Sequence, residues 1–182
     1  LLQNLMEGVA YVKTQIYYGK DNHAGYLISF CDAVFLTSDI VAKVIDNVNS
    51  AKEEIVLHYV EKKAFKNLGD EVARTFLPIG KKQYTGSAIY FVKKFSRVVG
   101  LFSKLAQMRK LRKQPLEFLK ELGCEKPSAF SDIEQAIKET TGLNVRVFES
   151  TMPELGLDVD KKADYELAQK YLSNPWQHNF KR

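Results

Sequence analysis

The order of apolar patterns along the chain predicts an α/β protein in which helices and strands alternate in layers. Three observations carry this. Leu5, Val9, Val12 and Ile16 recur at helical spacing, with Gly19 to end the helix. The run Gly25 to Cys31 is rich in β-branched and aromatic residues, and after it Thr37 and Ser38 can cap a helix. Near the other end, a capped helix closed by Gly142 leads into the short strand Asn144 to Phe148 and then a last helix.

Taken in order, Asn4 to Tyr18 is expected to be helical and Gly25 to Cys31 to form a buried strand. Ile40, Val41, Val44, Ile45 and Val48 then mark the apolar stripe of a helix, and Glu54 to Val60 reads as the next strand. Between Ala73 and Val92 the Gly80-Lys81 turn predicts a strand pair. Helices are expected over Lys93 to Met108 and Pro115 to Leu122. Ser131 with Glu134 has the form of a capping box opening another helix, and Lys161 to Leu172 is the last one. The tail from Asn174 to Arg182 has no periodicity.

At 182 residues and 45% hydrophobic content, the chain can bury a core as one domain over 1–182. Lys and Arg number 27 against 22 Asp and Glu, a net charge of +5. That excess suits small polyanions, and no dense basic block with interleaved aromatics points to nucleic acid. The two cysteines, Cys31 and Cys124, and the three histidines make no zinc spacing; Cys31, inside the apolar run, is expected to be reduced and buried. No secretory signal pattern opens the chain and no apolar run reaches the ~20 residues of a membrane span, so a cytoplasmic, membrane-free protein is the expectation. His58 alternates with apolar neighbours and reads as packed, while His23 and His178 carry no signal.

Two acidic clusters carry the chemistry. Asp32 follows an apolar strand, and Leu157-Asp158-Val159-Asp160 follows another. Such carboxylates sit at the carboxyl edge of a sheet, where open α/β sheets bind ligands. Hard oxygen donors converging there suit Mg²⁺, which shares its remaining positions with waters and phosphates. Asp-Val-Asp would project its two carboxylates to opposite faces if extended, so only one is expected to meet Asp32. Either Asp158 or Asp160 can then be the second metal ligand, with the other left to cap the final helix. Thr85-Gly86-Ser87, between a turn and an apolar strand, can bring backbone and hydroxyls to a phosphate or sugar. Arg74, Lys81, Lys82, Lys93 and Lys94 flank that loop, and Arg109, Lys110, Arg112 and Lys113 form a second basic group.

CDAVFLTSDIVAKVIDNV and MPELGLDVDKKADYELAQKYL resemble, in order, two elements of the nucleotidyltransferases related to molybdenum-cofactor guanylyltransferase. Tyr84 to Ser87 and Pro115 to Gly123 fall where that family has a substrate-facing loop and a helix. The resemblance implies a three-layer sandwich around a mostly parallel, Rossmann-like sheet of the glycosyltransferase-A type. It implies a Mg²⁺-dependent transfer of a nucleoside monophosphate from a nucleoside triphosphate to a phosphorylated acceptor, with pyrophosphate leaving. Asp32 and Asp158 would be the metal-side residues. Glycosyl transfer from a nucleotide sugar is the alternative on the same fold, and a non-catalytic domain is the alternative outside catalysis. Val34 stands where the family usually has Pro, and Lys162-Ala163 where it has Pro-Glu. The family's opening Gly-rich loop has no counterpart here, so the chain is expected to be the latter part of a longer protein and to hold triphosphate weakly by itself. Nucleobase, acceptor and oligomeric state stay open.

Overall fold

The computed structural model describes residues 25–68, 74–95, 97–98 and 114–173. The expected helix over Asn4 to Tyr18, most of that over Lys93 to Met108, the second basic group and the tail lie outside them. The strands are β1 (Tyr26–Ser29), β2 (Ile55–Glu61), β3 (Leu77–Ile79), β4 (Lys82–Gly86), β5 (Ile89–Val92) and β6 (Val145–Ser150). The α-helices are α1 (Ser38–Ser50), α2 (Pro115–Glu121), α3 (Phe130–Thr141) and α4 (Lys162–Ser173), with 3₁₀ turns at Lys62–Leu68 and Pro153–Gly156.

The six strands form one sheet in the order β1-β5-β2-β4-β3, with β6 also on β2. Among the described residues only β2 and β6 pair in parallel, from Ile55↔Val145 to Val60↔Ser150. Every other pairing is antiparallel, which corrects the mostly parallel Rossmann-like sheet expected from the sequence. For β3 and β4 the short connection dictates the direction. A parallel neighbour needs a crossover of a dozen or more residues. β3, β4 and β5 are separated only by Gly80-Lys81 and Ser87-Ala88, so the expected strand pair is three short strands. β4 and β5 follow one another along the same partner, β4 against Tyr59 to Glu61 and β5 against Ile55 and Val56.

β1, β2 and β6 nevertheless run the same way, because β1 is antiparallel to β5 and β5 is antiparallel to β2. Their carboxyl ends share one edge of the sheet. Side chains alternate along β2, so each face receives its own core. Ile55, Val145, Val147 and Val92 pack with Leu119, Ile133 and Ile137 of α2 and α3. Val60 and Ile89 pack with Ile40 and Val44 of α1 and Ala168 and Tyr171 of α4.

Local chemistry sets the boundaries. Thr37 caps α1, its hydroxyl accepting from Ile40 N at 3.4 Å. Gly80 adopts φ +56 in the β3–β4 turn, and a Cβ there would stand 2.7 Å from Ser128 O, so both conformation and space call for glycine. α3 begins earlier than expected, with Ala129 at its cap in place of Ser131. Asp132 accepts from the backbone of Ser128 at 2.6 Å and Ala129 at 3.1 Å. Glu134 instead accepts from Val147 N of β6 at 2.8 Å. β1 ends at Ser29, two residues short of the expected strand, so Cys31 is exposed and not buried. No helix among the described residues is long and apolar enough to cross a membrane.

Candidate functional site

Each acidic cluster enters the site through a turn. After β1, Phe30 O accepts from Ala33 N at 3.2 Å and Ala33 O from Leu36 N at 3.4 Å, which leaves Asp32 in the first turn at the sheet edge. After β6, the 3₁₀ turn Pro153–Gly156 is buried and is stitched to the sheet by Ala88 N, which donates to Leu155 O at 2.7 Å. Gly156 makes that approach possible: a Cβ would lie 2.8 Å from Phe65 Cζ and 2.9 Å from Thr85 Cγ2. Leu157 is then only 1% exposed, and anchors the start of the acidic loop. Val159 N donates to Asp32 O at 3.1 Å, joining the two loops directly.

Carboxylate oxygens of Asp32, Asp158 and Asp160 consequently lie within 4.8 Å of one another. The expectation that only one residue of Asp-Val-Asp meets Asp32 is corrected. It assumed an extended segment, whereas 157–160 is an irregular loop in which the two-residue alternation does not hold. Asp160 is also not the cap of the last helix. That role belongs to Asp164, whose Oδ2 accepts from Asp160 N at 3.1 Å and Lys161 N at 3.0 Å.

The donor set fits a hard divalent cation. Oxygens across such an ion stand about 4 Å apart for Mg²⁺ and about 5 Å for Ca²⁺, twice the respective bond lengths. Three carboxylates no more than 4.8 Å apart span that interval. Burial pushes the Asp158 carboxyl above the usual aspartate range, Asp160 and Asp32 add to the rise, and Arg74 opposes it. The cluster therefore holds like charges together at a cost that a cation would remove.

Arg74 is the site residue whose role the sequence did not mark. Its guanidinium donates to Asp158 Oδ1 through Nη1 and to Asp158 O through Nη2 at 2.7 Å, and Nη2 lies 3.6 Å from Asp164 Oδ1. The side chain is 10% exposed, and its buried Nε has no hydrogen-bond partner among the described residues. No motif surrounds it in Ala73-Arg74-Thr75. Asp164 was legible as a helix-start residue, since an acid three positions after Lys161 suits the first turn.

A cleft of about 670 Å³ opens beside these groups. Arg74, Asp158, Asp160, Lys161 and Asp164 line one end; Thr85, Gly86 and Ser87 line its side; Phe30, Tyr59, Tyr84 and Phe118 give it an aromatic wall. Gly86 takes no positive φ, and a Cβ there would meet nothing within 4 Å. It leaves open space in the wall. Ser87 is committed within the fold, its hydroxyl donating to Ile89 O at 2.5 Å. Lys82 is engaged too, at 2.8 Å from Glu149 Oε1. Lys81, Lys93 and Lys94 are exposed and do not line the cleft.

No protein-family profile matches the chain, and no curated protein matches it. Among solved structures, one described as a hypothetical transferase from Thermus thermophilus matches 90% of this chain and 68% of that one, at 23% identity and a TM-score of 0.70. At that identity the likeness establishes a shared fold. It does not extend to the relationship with molybdenum-cofactor guanylyltransferase that the motifs imply.

Proposed function

We propose that this protein is a metal-dependent nucleotidyltransferase that moves a nucleoside monophosphate from a nucleoside triphosphate to a phosphorylated acceptor, releasing pyrophosphate. The observation that carries the reading is the meeting of Asp32, Asp158 and Asp160 within 4.8 Å at the sheet edge, beside a cleft large enough for a small molecule. The shared fold with a protein described as a transferase agrees with it. In such a transfer an acceptor oxygen attacks the α-phosphorus, the bond to the bridging oxygen breaks, and the electron pair leaves with pyrophosphate. Asp32, Asp158 and Asp160 would hold Mg²⁺, which when bound neutralises charge on the phosphoryl oxygens.

The remaining groups orient the acceptor. Lys161 presents a cation at the acidic end, Thr85 a hydroxyl at the side, and Gly86 keeps the wall clear. The aromatic wall favours an acceptor with an apolar or ring portion next to its phosphate, since stacked rings and buried apolar area are what Phe30, Tyr59, Tyr84 and Phe118 can reward. The test is pyrophosphate release by the full-length protein across the four nucleoside triphosphates and a panel of phosphorylated acceptors, with Mg²⁺ and with EDTA. Metal-dependent pyrophosphate release supports the reading. Release of nucleoside diphosphate from a nucleotide sugar, with no pyrophosphate from any triphosphate, overturns it in favour of glycosyl transfer.

A further inference from the structure

We propose that Arg74 is a positioning residue: it holds the Asp158 carboxylate in place at the acidic cluster and so raises cation affinity through Asp158. This rests on the metal reading proposed above. The segment 157–160 is an irregular loop, so no strand ladder fixes its backbone. Single bonds do so instead. Leu157 N donates to Glu154 O at 3.4 Å, Val159 N to Asp32 O at 3.1 Å and Asp160 N to Asp164 Oδ2 at 3.1 Å. Those three leave the carbonyl and the carboxylate of Asp158, and Arg74 takes both. Its Nη1 donates to Asp158 Oδ1 and its Nη2 to Asp158 O at 2.7 Å. A guanidinium is a rigid planar fork, so gripping one residue by side chain and main chain together stops that side chain from rotating.

Asp158 has reason to rotate. Its side chain is 37% exposed, so water is within reach, and the carboxylates of Asp32 and Asp160 within 4.8 Å repel it outward when no ion is bound. Arg74 opposes both tendencies from a fixed place. It reaches in from the segment before β3, its side chain is 10% exposed, and Asp164 Oδ1 stands 3.6 Å from Nη2 on its other side. Both Nη groups serve Asp158 while the buried Nε has no hydrogen-bond partner among the described residues. The side chain is thus placed for Asp158 and not for the fullest hydrogen bonding of its own. Its positive charge works the other way, since it repels a bound cation, and Asp164 offsets part of that repulsion. The sign of the net effect therefore separates two roles: a positioning residue raises cation affinity, and a resident counter-charge lowers it.

The experiment is titration of the full-length protein with Mn²⁺, following the electron paramagnetic resonance of the free ion, for wild type, R74M, R74K, D158N and R74M/D158N, each checked for folding by circular dichroism. R74M removes fork and charge, and its Mn²⁺ affinity should fall at least about tenfold, the effect of deleting a hydrogen-bond partner of a metal ligand. In the D158N background the same change should cost no more than about twofold, because the carboxylate that Arg74 holds is gone; a general structural role would cost as much in both backgrounds. R74K keeps the charge and loses the fork, so its affinity should fall by more than about threefold, and it carries the test if R74M does not fold. An R74M affinity equal to or above wild type, a full loss repeated in D158N, or wild-type affinity in R74K each overturns the inference. If wild type binds no Mn²⁺ at millimolar concentration, the metal reading falls and this assignment with it. If wild type binds and R74M binds equally well, the metal reading stands and only the role of Arg74 is lost.

Discussion

Replacing Asp32 by Asn should make the metal-free protein more stable and the metal-loaded protein less so. The two effects come from the same geometry. Asp32 faces Asp158 and Asp160 with oxygens no more than 4.8 Å apart, and its carboxylate makes no hydrogen bond or ion pair among the described residues. At that separation each like-charge pair costs about 0.9 kcal/mol in bulk water, and screening at physiological salt reduces two such pairs to about 1 kcal/mol in total. Asn has nearly the same shape and keeps the backbone carbonyl that accepts from Val159 N. The expected gain in EDTA is thus about 1 kcal/mol, or a rise in Tm of about 2–4 °C for a chain of this size. Adding Mg²⁺ or Mn²⁺ at a hundredfold excess over Kd stabilises wild type by about 2.7 kcal/mol. Asp32→Asn, which lacks one of the three carboxylates proposed to hold the ion, should gain little at the same concentration. Thermal denaturation of both proteins in EDTA and in metal therefore crosses over. An equal metal-induced shift in the two would remove Asp32 from the site, and a drop in Tm for the variant in EDTA would mean that the carboxylate is a structural contact.

Other outcomes turn on single residues. His58 is 1% exposed, stacks on Phe148 and has its Nε2 3.2 Å from Asn47 Nδ2, and burial lowers its pKa to about 4, so it folds neutral. Because the unfolded chain binds its proton near pH 6.5, the stability this adds is complete above that pH and declines toward pH 4 by about 1.4 kcal/mol per unit; urea denaturation from pH 7.5 to 5 should show that slope, and His58→Gln should flatten it. Gly156→Ala sets a methyl 2.8 Å from Phe65 and 2.9 Å from Thr85, and should lower stability by about 1–3 kcal/mol in urea titration. Gly86→Leu meets open space on an ordinary backbone, so its stability should stay within about 0.5 kcal/mol of wild type while substrate turnover is lost; retained turnover would place the substrate elsewhere.

Local signals were legible wherever a short stretch determines its own structure. The Thr37 cap, the Gly142 stop at φ +71 and the α2 helix behind Pro115 all lie where their residues indicate. Strand direction was not legible, because it depends on which strands meet and not on what each contains. The pattern of β4 and β5 reads the same whether the neighbouring β2 is parallel or antiparallel. Cys31 shows the same limit on a smaller scale: the apolar run continues through Phe30 and Cys31, but pairing with β5 ends at Ser29↔Ile89 and the last residues are left exposed. Arg74 was hidden for a further reason, since its partners Asp158 and Asp164 are more than eighty residues away.

The acidic loop shows how a wrong local assumption concealed a stronger site. Alternation holds for residues that hydrogen-bond as a strand, and β6 stops at Ser150. Burial governs the segment beyond it: Leu155 and Leu157 are drawn into the core between β2, α1 and α4, and Ala88 N fixes the turn between them. Asp164 then takes the N–H groups of Asp160 and Lys161, turning the backbone into α4 and releasing the Asp160 carboxylate from any capping duty. A cap supplied from inside the helix thus leaves a third carboxylate at the sheet edge. Replacing Asp164 by Ala should consequently weaken two things together, the start of α4 and cation affinity, whereas Asp164→Asn, which can still accept from both N–H groups, should preserve the helix start and most of the affinity. A variant that loses affinity equally with Asn and with Ala would show that Asp164 acts on the site through its charge and not through the cap.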